Sequence, residues 1–234
     1  RLVQAFENIK DLFDPQGLFN PGKIVRAPRM DDRSLFRYRP GYALAPLEPV
    51  LDWSAWDVQN DPATETLTEP GTGGDPARGF GKAVEMCNNN GHCRKFDAGT
   101  MCPSFRVTRD EAHLTRGRAN TLRLALSGQL GADALTSDMV YEAMELCVSC
   151  KGCRRECPTG VDMAKMKIEF LHHYKQRHGH TLRDRVVGHL PRYAGWASRM
   201  PRLANLRNRS PLLARLAQRL TGLDAQRSLP EFRS

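Results

Sequence analysis

Between residues 147 and 158 the chain reads Cys147-Val148-Ser149-Cys150-Lys151-Gly152-Cys153-Arg154-Arg155-Glu156-Cys157-Pro158. Three cysteines with two residues between each, then a fourth three residues on and a proline, is the thiolate spacing of bacterial iron–sulfur runs. On so short a loop each of the first three sulfurs reaches a different iron of one cubane. The proline turns the chain away, and the fourth sulfur serves the other cluster of a pair. A tetrahedral zinc site is the competing use of closely spaced thiolates. Free buried thiols would leave the spacing unexplained. The patterning around the cysteine loops is helical, so the expected fold class is mainly α, preceded by an irregular segment with little β.

All seven cysteines lie between Cys87 and Cys157. An odd number in a chain of this size does not suit a disulfide framework. Upstream, Cys87-Asn88-Asn89-Asn90-Gly91-His92-Cys93 keeps the frame of the run with Asn90 in the middle seat, and Cys102-Pro103 follows. Two Cys-Pro elements imply two clusters with crossed fourth ligands. On that logic Cys102, Cys147, Cys150 and Cys153 hold a 4Fe-4S cluster. Cys87, Cys93 and Cys157 hold a second cluster and are one thiolate short. The second site then takes a 3Fe-4S cluster, or a 4Fe-4S cluster with a non-thiolate fourth ligand. His92 has a suitable imidazole donor, although a hydrogen bond to a cluster sulfur is its plainer role. The amide oxygen of Asn90 is a weak partner for soft iron.

Around this region the helix signals are clear. Residues 1–12 carry an apolar stripe at Leu2, Val3, Phe6, Ile9 and Leu12. Arg116–Ser127 is a helix closed by Gly128. Ser137 caps Asp138–Leu146, which delivers Cys147. Asp162 caps a helix to His178 with Gly179 as its stop. In that helix Met163, Met166, Phe170 and Tyr174 share a face as core rather than as metal ligands. The histidines 172, 173, 178 and 180 read as a solvated helix end. Ser210-Pro211 opens a last helix ending at Gly222, with Leu212, Leu213, Leu216 and Leu220 on one face. From Pro28 to Phe80 the chain is irregular, with short candidate strands near Leu35–Tyr38 and Val50–Trp53. The Pro-, Gly- and Thr-rich stretch Asp57–Gly79 reads as a linker.

Composition sets the outer bounds. The 234 residues are 40% hydrophobic, enough for a core, yet no run approaches the ~18 apolar residues of a membrane span. The chain opens on Arg1 with no charged leader before an apolar stretch, so it reads as a piece of a longer polypeptide without a secretory signal. Net charge is +9, and most of it lies beyond His178, where 11 Arg and no Lys face three acids. Arginine without lysine favours fixed ion pairs with protein carboxylates. Anionic lipid and nucleic acid are the other partners a basic tail attracts.

Phe13 to Val25 (FDPQGLFNPGKIV) resembles the end of the flavin-binding portion of vanillyl-alcohol-oxidase-type enzymes. Met86 to Glu111 and the following Thr115 to Gly128 (TRGRANTLRLALSG) resemble the fused FAD/iron–sulfur 2-hydroxyacid dehydrogenases. These include the D-lactate, D-2-hydroxyglutarate and glycolate-oxidase-like proteins, and the resemblance covers nearly the whole chain. It implies a flavin domain ending at residues 1–25, an irregular linker over 26–80, and an α-helical two-cluster ferredoxin-like domain over 81–180. A basic helical tail over 181–234 would lead to a downstream cysteine-rich domain.

The resemblance also implies the activity. A 2-hydroxy acid gives its α-hydrogen as hydride to FAD held upstream, and this module takes the two electrons one at a time. A quinone, cytochrome or protein acceptor receives them. No catalytic residue is expected in the chain itself. Asn20 and Lys23, in the Asn20-Pro21-Gly22-Lys23 element, would touch the flavin edge. The expected setting is cytoplasmic, with peripheral contact at the inner membrane, and the partners are the flanking domains rather than nucleic acid. The alternative is a zinc-stabilised binding module whose Arg-rich tail grips nucleic acid or protein. It predicts colourless protein and salt-sensitive DNA affinity, but the tail has few aromatics beyond Tyr193 and Trp196.

Overall fold

The computed structural model describes residues 1–32, 34, 38, 42–56, 75–95 and 99–233. The chain divides into two compact units, one of residues 1–48 and 53–82, the other of 49–52 and 83–234. Among the described residues there are helices, 3-10 turns and no strand, so the mainly α expectation holds.

In the first unit, α1 (Leu2–Phe13) is the amphipathic helix expected from its stripe. Its apolar side chains stay exposed, Leu2 at 76% and Leu12 at 77%. Asp14 ends the helix. Its carboxylate accepts the Leu18 and Phe19 N–H groups at 2.8 and 2.9 Å. The Lys10 ammonium beside it holds the carboxyl at about 2. Farther on, Trp53 and Phe80 are buried with ring centroids 5.1 Å apart. Asp75 gathers the Ala77 and Lys82 N–H groups at 2.8 and 2.9 Å. The short helix α2 (Phe80–Glu85) carries the chain onward.

The second unit holds α3 (Pro103–Thr108), α4 (Thr115–Leu126), α5 (Asp138–Glu145), α6 (Gly152–Glu156) and α7 (Met163–His178). Helix α4 packs on α5 and α7, burying Leu122, Leu126, Val140, Met144, Met163, Met166 and Phe170. The methionine face of α7 is thus core. The caps fall where the sequence places them. Ser137 accepts from Val140 N–H and Asp162 from Lys165 N–H. Gly128 and Gly179 take φ of 71° and 78° just past their helices, a region glycine enters without steric cost. The histidines end in local bonds: His173 meets Glu169 at 3.0 Å, and His178 meets the Thr136 carbonyl at 2.8 Å.

The strand expected over Val50–Trp53 does not form. Its Val50 and Leu51 N–H groups donate to the two oxygens of the fully buried Glu169, at 2.8 and 2.9 Å, so no ladder is available to them. The other candidate, Leu35–Tyr38, lies outside the described residues apart from Tyr38, as does most of the linker stretch.

The tail forms α8 (Leu182–Gly188), α9 (Leu190–Arg199), α10 (Pro201–Ala204), α11 (Leu206–Arg209) and α12 (Pro211–Thr221). Thr181 and Asp184 make a reciprocal capping box at α8, and Asp184 also bonds Lys175 of α7 at 2.6 Å. Ser210 caps α12 and Gly222 closes it. Leu212, Leu216 and Leu220 stand 76, 53 and 61% exposed. Among the described residues no helix is long and apolar enough to cross a membrane.

Candidate iron–sulfur centres

All seven cysteines belong to the second unit and all are free thiols. Helix α5 ends with Cys147 N–H bonded to the Met144 carbonyl at 3.0 Å. The half-buried Lys167 steadies that end by donating to the Glu145 and Cys147 carbonyls at 3.0 and 2.7 Å, a cation where helix carbonyls are unpaired. The loop then turns through Ser149 and Lys151, both left-handed with φ of 53° and 60°, and α6 presents Cys153. Gly152 has no room for a side chain. A Cβ there would lie 2.7 Å from the Thr100 hydroxyl and 3.2 Å from the Met101 nitrogen.

Cys102, Cys147, Cys150 and Cys153 line one cavity together with Thr115 and Arg118. Cys87, Cys93 and Cys157 line a second cavity with Asn90, Thr115 and Arg116. These are the two cysteine sets that the paired Cys-Pro elements pointed to. Cys102 follows the first loop in sequence yet lines the cavity of the later run, and Cys157 does the reverse. Thr115 borders both spaces.

The sulfurs are already placed by hydrogen bonds. Cys102 Sγ accepts from the Thr115 N–H at 3.1 Å and lies 3.0 Å from its hydroxyl. Cys153 Sγ accepts from Met163 N–H at 3.3 Å, and Cys157 Sγ lies 3.3 Å from the Thr159 hydroxyl. Cys102 itself holds the left-handed φ of 53°, a strained setting for a non-glycine residue that surrounding structure must enforce. Burial pushes the Cys153 thiol up to about 11 and raises Cys102 and Cys93 as well. Such thiols give up their protons when a metal brings positive charge to them.

The donor set fits a cluster better than a single ion. Thiolates with two residues between each are the donor chemistry of an iron–sulfur cluster. Among the described residues no three His, Cys, Asp or Glu side chains converge as one ion requires. A second sign of fit is Arg118, which is 2% exposed and lines the four-cysteine cavity. Its Nε donates to the Ala143 carbonyl at 2.8 Å and its Nη2 to the Ser104 hydroxyl at 3.0 Å. Both partners are neutral, and among the described residues no carboxylate pairs with it. A buried cation without an anion is costly, and iron–sulfur clusters carried by four thiolates are anionic.

The remaining candidates fall outside these cavities or are otherwise engaged. His92 is exposed and is not among the residues lining the second cavity. The Asn90 side-chain oxygen accepts the His92 N–H at 2.8 Å, while Asn90 also lines the second cavity. Asn20 and Lys23 are exposed in the first unit, joined by a 3.3 Å backbone bond, with Asn20 at φ 44°. Sequence reasoning misses Thr115, Arg116 and Arg118 as site residues. Their only signal is a Thr-x-Gly-x pattern with two arginines at the start of an otherwise ordinary helix.

Residues 83–161 match the family of 4Fe-4S dicluster domains, and residues 1–24 match the C-terminal domain of FAD linked oxidases. The chain therefore joins the end of a flavin-linked oxidase domain to a two-cluster iron–sulfur domain, the fused type that its motifs resemble. Its curated relatives are more particular. It is 28% identical to the D-2-hydroxyglutarate dehydrogenase of Pseudomonas putida over 81% of this chain, and 27% identical to that of Escherichia coli over 85%. To the D-2-hydroxyglutarate dehydrogenase of Pantoea ananatis it is 30% identical over 82%. In each case it spans only about a fifth (20%) of the relative's length. No solved structure matches the chain.

Proposed function

We propose that this chain is the electron-transfer part of a flavin-dependent D-2-hydroxyacid dehydrogenase, with D-2-hydroxyglutarate as the first substrate to test and D-lactate as the second. The observation that carries the reading is the pair of cysteine-lined cavities both bordered by Thr115, in a chain that also holds a flavin-oxidase segment. Cys102, Cys147, Cys150 and Cys153 would hold a 4Fe-4S cluster, and Cys87, Cys93 and Cys157 a second of 3Fe-4S or 4Fe-4S type. When bound, these clusters accept and release single electrons, the chemistry that links a two-electron flavin to one-electron carriers. The chain's own residues set the geometry. Thr115 borders both sites and bonds one ligand sulfur, while the buried packing around Cys93, Cys102 and Cys153 limits water at the sulfurs.

Asn20 and Lys23 would lie at the flavin edge of the oxidase domain. Electrons would leave to a quinone, a cytochrome or another protein. The Arg-rich tail, with its Leu212, Leu216 and Leu220 face exposed, would dock on the remainder of the same polypeptide. The test is iron and acid-labile sulfide on anaerobically purified protein, with EPR of oxidised and reduced samples. Iron with matching sulfide at a level needing two clusters is the expected result, and an oxidised-state signal identifies a three-iron second site. Zinc without sulfide, persisting after reconstitution with iron, overturns the proposal in favour of the zinc-stabilised module.

A further inference from the structure

Two arginines two residues apart on α4 serve the two cavities in different ways. Arg116 borders the three-cysteine cavity, but its guanidinium is paired with Glu111 at 2.7 Å, and Glu111 also holds Arg94 at 3.0 Å. The one Glu111 carboxylate is shared between Arg116 and Arg94, so the charge of Arg116 is only partly offset, and it is partly open to solvent. Arg118 borders the four-cysteine cavity, is buried, and among the described residues bonds only the Ala143 carbonyl and the Ser104 hydroxyl. Its Nη1 makes no hydrogen bond among the described residues. A full positive charge therefore sits in a low-dielectric wall where salt and water screen it poorly.

We infer that Arg118 is the fixed counter-charge of the four-cysteine site and holds the reduction potential of the cluster there above the value the same thiolates would otherwise set. The inference rests on the cluster assignment proposed above. When the cluster takes one electron its net charge becomes one unit more negative, while Arg118 stays protonated at every accessible pH. The attraction to Arg118 thus grows on reduction, and the reduced form gains more than the oxidised form. At the second cavity the corresponding gain is smaller, because Glu111 partly offsets Arg116 and solvent screens it. Arg118 therefore raises the electron affinity of the cluster beside it more than Arg116 does for the second. Net charge and surroundings are the levers through which proteins move cluster potentials.

The test is redox titration followed by EPR, with iron content measured in parallel, on the full chain and on Arg118→Lys and Arg118→Gln. Arg118→Gln is expected to load iron and to lower the reduced-to-oxidised ratio of the first cluster tenfold or more at fixed potential. For a one-electron couple that is about 59 mV. Arg118→Lys keeps the charge and should stay within threefold of wild type, and the second cluster should not move in either variant. Selective loss of the first cluster in Arg118→Gln, with Arg118→Lys fully loaded, supports the same role. An unmoved potential in loaded Arg118→Gln overturns the inference. So does a lysine variant shifted as far as the glutamine one, or loss of the first cluster in both, since each assigns Arg118 to shape and hydrogen bonding. Failure of the cluster reading itself is separate, because wild type would then lack matching iron and sulfide.

Discussion

Gly117, between Arg116 and Arg118, is where α4 meets the 3-10 turn Glu111–His113. A Cβ at this position would lie 1.9 Å from the Glu111 carbonyl oxygen, 2.8 Å from its carbon and 3.1 Å from the Ala112 Cα. All three are backbone atoms, so no flexible side chain can swing aside. Gly117→Ala gains about 1 kcal/mol of helix propensity and incurs an overpacking cost of about 1–3 kcal/mol. Contacts this short put the cost at the upper end, for a net loss of about 2 kcal/mol. Gly195 in α9 is the matched control: it is helical and exposed, and a methyl group added there would meet nothing within 4 Å. Gly195→Ala should stabilise by about 0.5–1 kcal/mol from propensity alone. Urea unfolding followed by far-UV circular dichroism should therefore separate the variants by about 2.5–3 kcal/mol in opposite directions from wild type. Because α4 also carries Thr115 and Arg118, a backbone shift at Gly117 should reduce iron content at the four-cysteine site, and Gly195→Ala should not. If Gly117→Ala proves as stable as Gly195→Ala, the close approach of the turn to α4 is wrong.

Four further outcomes follow from the same geometry. Cys93→Ser should lose the second cluster and keep the first, and iron falling to zero would refute two separate sites. Glu169→Ala removes the acceptor of the Val50 and Leu51 N–H groups and should cost about 1–3 kcal/mol; unchanged hydrogen-exchange protection of those amides would count against the clamp. Asp184 sits at about 2: burial would raise it, but the Lys175 ammonium and the Thr181 N–H and hydroxyl outweigh that. Its contribution is therefore full above about pH 4 and is lost as pH falls through about 2, so Asp184→Asn should be less stable than wild type at pH 7, with the gap closing as pH falls through about 2. A gap that stays constant with pH would contradict this. Reversing Arg215 and Arg219 to Glu should weaken association of the tail with the rest of the polypeptide, and unchanged co-purification of separately expressed parts would refute that docking.

Local chemistry makes much of this protein legible in its residues alone. The helices that begin at Ser137, Asp162 and Ser210 and the stops at Gly128, Gly179 and Gly222 are readable because caps and left-handed glycines act within one turn of themselves. Cysteine spacing is readable for a similar reason, since a loop of two or three residues leaves a sulfur few places to go. Misreadings arise where a distant group decides. Val50–Trp53 has the apolar make-up of a strand, but Glu169, more than a hundred residues later, takes the N–H groups a ladder would need. The leucines of α12 have the pattern of a core face and remain exposed. In the sequence Arg118 is one more arginine on a basic helix. Only the tertiary structure buries it between α3 and α5 beside four thiols, because burial and the counter-charge it demands are properties of packing that no spacing along a chain encodes.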